Sequence, residues 1–350
     1  MMMRSELHPA RAISAAVLFL ALTACARDDA TAPKGLSTVG LSDNVPVIVT
    51  VTDLGPLPPA GRTARANGIN NQGTIVGSAF TGGVPGKFVA FSRTEQGGAA
   101  PLTGTLGFES SEANAINERG DVVGTRTPGP GVGLVWTRDG RVVEIPEMTI
   151  AHSINNRGTV VGASISGTAV LWTERDGVRN LGGFFALDIN ESDDVVGQAA
   201  GPSGARAALW PRAGALVLLP TEPAVQSSAA TGINNRGEVV GFIGPFFNSM
   251  GFVWSEQKGL RMLATPPGLF SHPEAINNRG EIAGWLTNGG SSGVGRAVMW
   301  SASGRLVMLD PLAPGAASQA FDINDRGEIV GSSASADPND AHAVLWTLRE

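Results

Sequence analysis

The sequence predicts an all-β fold, namely a seven-bladed β-propeller of four-stranded antiparallel blades. Three observations support this prediction. A nine-residue motif occurs seven times, an apolar segment ending in an aromatic residue follows each copy, and 47 glycines and 22 prolines interrupt a chain that is 42% hydrophobic. Many short apolar segments separated by turn residues are typical of strands joined by hairpins and not of long helices.

The motif reads Ile-Asn-x-x-Gly-x-Val-Val-Gly or a close variant. Successive copies begin 35 to 47 residues apart, which is the period of propeller blades and not of the shorter β-helix rungs. The copies are Ile69–Gly77, Ile116–Gly124, Ile154–Gly162, Ile189–Gly197, Ile233–Gly241, Ile276–Gly284 and Ile323–Gly331.

Each motif predicts a hairpin between the first two strands of a blade. The Asn side chain can accept a hydrogen bond from the backbone two residues further on, and Gly supplies the left-handed residue of a three-residue turn. The fourth copy has Asp193 in place of that Gly, and Asp is among the few other residues that tolerate a positive φ.

The apolar segment that follows predicts the third strand, and its aromatic residue is expected to pack between blades. A Gly-containing turn and a further short apolar segment predict the fourth strand. Both faces of the second and third strands are apolar, as in sheets covered on both sides. The aromatic residues are Phe91, Trp136, Trp172, Trp210, Trp254, Trp300 and Trp346.

The last repeat predicts how the ring closes. It ends just after Trp346 and so lacks a fourth strand, whereas residues 47–55 before the first motif have the character of one. We expect the N-terminal strand to complete the last blade, which would leave no open sheet edge between the chain ends.

From Ile69 onward the chain resembles the bacterial extracellular HAF-repeat family, which is named for a His-Ala-Phe tripeptide. The seven Ile-Asn-x-x-Gly copies carry the resemblance, and only the last repeat keeps His-Ala, as His342-Ala343-Val344. The resemblance implies export and a propeller-like repeat. Because that family has no established activity, it implies no catalytic residues.

The N-terminus predicts an exported lipoprotein. Basic Arg4 and Arg11 precede an apolar segment that ends in Leu22-Thr23-Ala24-Cys25, which has the layout of a signal peptide and resembles the bacterial lipobox. We expect residues 1–24 to be the signal peptide, Cys25 to carry the lipid, residues 25–45 to include a flexible tether, and residues 46–350 to form the propeller. Ala26 resembles the pattern for outer-membrane sorting.

The charge excludes one class of partner. The formal net charge is −6 and the arginines are scattered, so we expect no nucleic-acid ligand. The expected partners are the membrane, through the lipid on Cys25, and a glycan or a protein. No cofactor and no metal site are predicted, and the chain is expected to be a monomer.

Candidate ligand-binding residues lie near the start of several motifs. Asp188 and Asp322 immediately precede an Ile-Asn pair, and His152 and Glu274 lie close to one in their own repeats. All four could face the mouth of a central channel, although solvated polar residues at strand starts would give the same pattern.

Two functions fit the sequence. The first is a non-enzymatic binding module that uses the face carrying the variable connections between strands, because binding commonly resides in variable loops on a rigid scaffold. The second is a carbohydrate-active enzyme, a glycoside hydrolase or lyase, with a pair of carboxylates at the channel mouth. No catalytic motif assigns a residue to the second.

Overall fold

The computed structural model describes residues 47–55, 63–81, 86–104, 110–127, 131–202, 204–221, 227–289, 295–337 and 340–349. Every described residue belongs to one compact unit, which lies within Gly40–Glu350. The predicted signal peptide, Cys25 and the tether therefore lie outside the described residues.

The described secondary structure is almost entirely β-strand. Within these ranges no helix is long and apolar enough to cross a bilayer, and the one helical element is a 3-10 turn at Phe246–Asn248. In chain order the strands are β1 Ile48–Gly55, β2 Thr63–Ile69, β3 Ile75–Thr81, β4 Lys87–Thr94, β5 Gly98–Pro101, β6 Ser110–Ile116, β7 Val122–Thr127, β8 Val132–Trp136, β9 Val142–Ile145, β10 Met148–Ile154, β11 Val160–Ser164, β12 Ala169–Thr173, β13 Gly177–Asn180, β14 Phe185–Ile189, β15 Val195–Gly201, β16 Gly204–Trp210, β17 Val217–Leu218, β18 Ser228–Ile233, β19 Val239–Ile243, β20 Met250–Ser255, β21 Gly259–Met262, β22 Phe270–Ile276, β23 Ile282–Thr287, β24 Arg296–Trp300, β25 Leu306–Met308, β26 Ser318–Ile323, β27 Ile329–Ala334 and β28 Ala341–Arg349.

The strands form antiparallel meanders, one for each sequence repeat. Five separate four-stranded sheets run β6 to β9, β10 to β13, β14 to β17, β18 to β21 and β22 to β25. An eight-stranded sheet holds the remaining strands in the order β26-β27-β28-β2-β3-β4-β5, with β1 paired to β28. Its two halves are joined by a parallel pairing of Thr63 with Ala341.

The N-terminal strand completes the last repeat, as predicted. Strand β1 pairs antiparallel with β28 from Ile48 opposite Arg349 to Gly55 opposite Ala343. Leu54 also enters a buried cluster with residues of the first and last repeats. The two ends of the described chain are therefore held in one sheet.

The motif forms the predicted hairpin in every copy. In the first, the Asn70 Oδ1 atom accepts hydrogen bonds from the backbone N–H groups of Gln72 and Thr74 at 3.1 and 3.0 Å. The last turn residue has a positive φ in all seven copies, including 63° at Asp193 in the fourth. The Asp substitution thus preserves the backbone conformation that Gly provides elsewhere.

The glycine that ends Val-Val-Gly has a separate structural role. The first strand of each repeat bulges three residues before the motif asparagine, as between Ala151 and Ser153, and this brings a backbone carbonyl close to the second strand. A Cβ atom on Gly162 would lie 1.9 Å from the Ile150 carbonyl oxygen, and the corresponding glycines face a backbone oxygen at 1.9 to 2.3 Å. Only Gly fits beneath this bulge.

The motif asparagines link each repeat to the next in a closed cycle. The Nδ2 atom of each Asn donates a hydrogen bond to the backbone carbonyl of the Asn in the following repeat, at 3.0 to 3.3 Å. All seven side chains are buried. In order, the members are Asn70, Asn117, Asn155, Asn190, Asn234, Asn277 and Asn324, whose Nδ2 returns to the carbonyl of Asn70.

A second cycle lies one residue further along each turn. There the backbone N–H donates to the side-chain oxygen of the equivalent residue in the next repeat. The members are Asn71, Glu118, Asn156, Glu191, Asn235, Asn278 and Asp325. This position requires a side-chain acceptor, which explains why each copy has Asn, Glu or Asp there.

The apolar core is divided between neighbouring sheets. One cluster, for example, joins Val161 and Leu171 of the third repeat to Ile189, Val195 and Trp210 of the fourth. Another joins Leu54, Val330 and Ala343 of the last repeat to residues of the first, including Ile69 and Phe91. The repeats therefore stabilise one another by packing face to face around the cycle.

The first repeat departs from the sequence prediction at the aromatic position. Ile75 lies opposite Arg93, whereas its counterpart Val160 lies opposite Trp172, so Arg93 and not Phe91 holds the position. Phe91 is a core residue two positions earlier. The Arg93 Nη1 atom lies 3.5 Å from the carbonyl oxygen of Leu54 in β1, the strand that completes the last repeat. This contact is similar to that of Trp346 Nε1 with the Asp310 carbonyl of the sixth repeat.

Adjacent residues of one turn test the cycle of asparagines. Asn155→Asp replaces the Nδ2 donor that reaches the Asn190 carbonyl and Asp193 with a carboxyl oxygen. That oxygen either stays ionised without a donor or takes up a proton at a cost. We expect a loss of about 3 kcal/mol or more in unfolding free energy at pH 7, measured by urea denaturation.

The matched control is Asn156→Asp. Asn156 contributes an acceptor oxygen to the Glu118 N–H at 2.8 Å, which a carboxylate retains, so we expect a change within about 0.5 kcal/mol. Equal losses in the two variants would contradict the assigned roles.

Candidate functional site

The structure places Asp188 and Asp322 at corresponding positions of the fourth and seventh repeats. Each lies directly before the isoleucine of its motif, on β14 and β26, the first strands of their sheets. Their charges are near enough to interact. Because first strands of successive repeats lie against one another around the cycle, these two carboxyl groups face inward from non-adjacent repeats.

Both carboxyl groups bridge neighbouring repeats by hydrogen bonds. Asp188 accepts from the Ser153 hydroxyl at 2.7 Å and from the Ile233 N–H at 2.9 Å. Asp322 accepts from the Ile69 N–H and from its own neighbour Ile323, each at 2.8 Å. Their oxygens therefore hold together the first strands of adjacent repeats.

Burial changes the protonation of the pair. It raises the pKa of Asp188 above its usual range. Burial, and to a smaller extent the charges of Asp188 and Glu118, raises the pKa of Asp322 to about 7, against hydrogen bonds from Ile69 and Ile323 that lower it. Burial therefore favours the protonated form of Asp322, and the neighbouring negative charges act in the same direction.

His152 and Glu274 also occupy corresponding positions, but neither is among the described hydrogen-bond or charge partners of Asp188 and Asp322. Each is the bulged residue of its first strand, β10 or β22. Burial lowers the pKa of His152 to about 4, and its Nε2 atom has no hydrogen-bond partner among the described residues. His152 is therefore neutral at pH 7. The four residues predicted from sequence separate into a carboxyl pair and two independent positions.

Glu274 belongs to an aromatic cluster that the sequence did not predict. Its Oε1 atom lies 3.0 Å from Nδ1 of His272 and accepts the indole N–H of Trp285 at 2.9 Å. The His272 ring is stacked on Trp285, with centroids 4.9 Å apart, and contacts Phe242 at 4.3 Å. Glu274 thus fixes the orientation of the buried His272 and Trp285 rings.

Two exposed phenylalanines extend this cluster to the surface. Phe246 and Phe247 lie on the 3-10 turn between β19 and β20, with 43% and 41% of their surface exposed. Phe246 packs on the His272 ring at 4.2 Å and meets Phe247 edge to face at 5.2 Å. We call Phe246 and Phe247 the aromatic patch.

The aromatic patch lies on the face predicted to bind ligand. Its turn belongs to Gly244–Met250, one of the connections between second and third strands that vary among repeats. Parts of the other variable connections lie outside the described residues. One signal in the sequence pointed to this cluster: Trp285 is the only tryptophan that does not occupy the repeated aromatic position.

A groove of about 500 Å³ opens on the opposite face, between the turns of the fifth and sixth repeats. Four cationic side chains line it, but Arg236 and Lys258 pair with Glu238, and Arg279 pairs with Glu281. Three of the four cationic side chains are therefore already paired with carboxylates of the protein.

The three histidines predicted to follow the export signal lie in different surroundings. His342 pairs with Asp53 at 2.9 Å, across the contact between β28 and β1, whereas His152 and His272 are in the positions described above. Over the described ranges, no group of three or more His, Cys, Asp or Glu residues is arranged to hold a metal ion.

The carboxyl pair predicts a pH dependence of stability. Asp322 has a folded-state pKa of about 7 and an unfolded value of about 3.9, so the folded state binds more protons in this interval. Stability should therefore fall as pH rises from about 4 to about 7 and change little from this group above it.

Asp322→Asn, which keeps an acceptor for the Ile69 N–H, should flatten this dependence in thermal unfolding measured from pH 4 to 8. Asp325→Asn, a change in the turn of the same repeat, serves as the control and should leave the slope unchanged. Equal slopes of stability against pH in the wild type and in Asp322→Asn would contradict the assignment.

Comparison with known proteins identifies the fold. No protein-family model matches the chain, and no curated protein sequence matches it. Among solved structures, virginiamycin B lyase from Staphylococcus aureus is similar with a TM-score of 0.57 at 12% identity, over 87% of this chain and 100% of that one.

Two other solved structures are similar over comparable lengths. The β-propeller domain of the Trilobed protease from Pyrococcus furiosus gives a TM-score of 0.55 at 11% identity, over 82% of this chain and 95% of that one. YCF48 bound to D1 peptide gives 0.52 at 14% identity, over 89% and 98%. At these identities the likeness concerns architecture alone, and it shows that this chain has a β-propeller fold.

Proposed function

We propose that the protein is a non-enzymatic binding module that takes a protein ligand at the aromatic patch. The observation that carries this proposal is the exposure of Phe246 and Phe247 on a turn supported by buried aromatic rings. Exposed aromatic side chains on a rigid base supply contact area with little loss of conformational entropy on binding.

The polar groups of the cluster favour a protein over a glycan. The Oε1 atom of Glu274 already accepts the Trp285 indole N–H and contacts His272, so only the other oxygen of this carboxylate remains to orient sugar hydroxyls. Five of the six tryptophans at the repeated aromatic position are buried and offer no stacking surface. An apolar side chain of a protein partner needs neither feature. One protein of the same fold, YCF48, is bound to a peptide.

The alternative of a carbohydrate-active enzyme has weaker support. It would use Asp188 and Asp322, and a raised pKa is what a general acid requires. However, the oxygens of both groups accept hydrogen bonds from neighbouring strands, which is the environment of a structural carboxyl group. We therefore propose binding rather than hydrolysis.

We also propose that the ring has seven blades, with the eight-stranded sheet counted as two. The closed cycle of seven asparagines supports this count, and among the described residues a single strand pairing, Thr63 with Ala341, links the two halves. Membership of the HAF-repeat family remains a prediction from the repeated motif.

A peptide-display library and a glycan array, both probed with the full chain, test the proposed ligand class. We expect enrichment of peptides with exposed apolar side chains and a loss of at least about tenfold in their affinity for Phe246→Ser/Phe247→Ser, as for hot-spot aromatic residues.

The control is Ile165→Ser. Ile165 is 68% exposed and lies in the corresponding connection of the third repeat, away from the cluster, so affinity should not change. Glycan binding that survives the double substitution, or hydrolysis abolished by both Asp188→Asn and Asp322→Asn, would contradict the proposal.

We propose in addition that the protein is exported and anchored to the outer membrane by a lipid on Cys25. The signal layout and the Leu22-Thr23-Ala24-Cys25 sequence support this, and two or more acyl chains suffice for stable anchoring. Intact mass spectrometry should show an acylated N-terminal Cys25, and Cys25→Ser should move the protein from the membrane to the soluble fraction. A wild-type protein that starts at another residue would overturn this proposal.

A further inference from the structure

The outer strand of the fourth repeat exposes an unusual apolar edge. Leu216, Val217 and Leu218 are consecutive, and 42%, 40% and 37% of their surfaces are accessible. Since successive side chains of a strand point to opposite faces, solvent reaches apolar groups on both faces of β17. We call these three residues the β17 edge.

Of the other outer strands in the described part of the chain, only β25 (Leu306–Met308) contains neither a charged residue nor a proline, and it lies between Arg305 and Asp310. An exposed Glu144 lies in β9, Arg179 in β13 and Arg261 in β21, and β5 ends at Pro101. Charged residues and proline on a sheet edge prevent pairing with another chain. By contrast, residues 213–219 contain no charged residue and no proline, so the β17 edge lacks this protection.

The backbone of the β17 edge is oriented for pairing. Val217 lies opposite Leu209, and the Leu219 N–H donates to the Ala207 carbonyl at 2.9 Å. Because hydrogen-bonding groups alternate along a strand, Val217 and Leu219 point toward β16. Leu216 and Leu218 therefore direct their N–H and C=O groups outward, and these groups have no partner among the described residues.

We propose that the β17 edge pairs with the β17 edge of a second copy of this chain. Antiparallel pairing centred on Val217 places Leu216 of each copy opposite Leu218 of the other, so that all of their outward backbone groups are satisfied across a two-fold axis. The uncharged apolar side chains then pack against identical ones. This dimer replaces the monomer expected from the sequence.

The charge of the protein favours the β17 edge as the place where a second copy of the chain binds. The net charge of −6 makes two copies repel over most of their surfaces, and contact is least opposed where both surfaces are uncharged. Screening of that repulsion by salt should strengthen association, which is the reverse of what a contact between opposite charges would show.

A cysteine at the centre of the pairing tests the proposal in the full chain. Val217 of each copy would form a non-hydrogen-bonded pair, with Cα atoms about 4.5 Å apart, within the range that a disulfide spans. Val217→Cys should therefore give a covalent dimer under mild oxidation, detected on a non-reducing gel.

The matched control is Val307→Cys. Val307 of β25 lies opposite Met299 of β24, as Val217 of β17 lies opposite Leu209 of β16. The variant should give no dimer above the background of the wild-type chain, whose one cysteine is Cys25. A covalent product of Val217→Cys with a different protein, or dimer yields equal to those of the control, would overturn the proposal.

Sedimentation velocity provides an independent measurement without a new thiol. We expect Val217→Lys, which brings like charges together at the axis, to weaken association at least about tenfold with an unchanged melting temperature. A wild-type chain that stays monomeric at both low and high salt, or a variant that associates as strongly as wild type, would contradict pairing at the β17 edge.

Discussion

The fold depends on the buried cycle in which each motif asparagine donates to the next repeat. A single Asn side chain satisfies its own turn with Oδ1 and reaches the following turn with Nδ2, as Asn70 does toward Asn117. Because every one of these groups is buried, an interruption would leave a donor and a carbonyl without partners. The cycle therefore fixes the relative position of neighbouring sheets as well as the shape of each turn.

The same economy applies to the strands around the cycle. The bulge in each first strand brings a carbonyl to within 2.3 Å or less of where a Cβ on the second strand would lie, which is why Val-Val is followed by Gly. The bulge also frees one side chain per repeat from the regular pairing, and His152 and Glu274 are two of these. The glycine is therefore fixed by packing, whereas the bulged residue of the neighbouring strand differs from one repeat to the next.

The aromatic patch shows how a repeated scaffold acquires an individual surface. In the sixth repeat His272, Glu274 and Trp285 form a connected group that supports Phe246 of the fifth. The proposed ligand site and the proposed β17 edge lie in different repeats, the fifth and the fourth. At both places the residues differ from those at the corresponding positions of the other repeats. Such differences can give one repeat a binding surface that the others lack.

The sequence by itself determined the repeat, the hairpin turns and the pairing of the first strand with the last repeat. These follow from local chemistry: Asn and Gly define the turn, Asp193 replaces Gly at a positive φ of 63°, and a missing fourth strand must be supplied from elsewhere. What only the tertiary structure decided depends on residues far apart in the chain. The register that puts Arg93 in place of Phe91, the approach of Asp188 to Asp322, and the separation of Glu274 from that pair all arise when the ring closes. Closure sets which repeats meet and which side chains are buried together, and a pattern read one repeat at a time does not contain those distances.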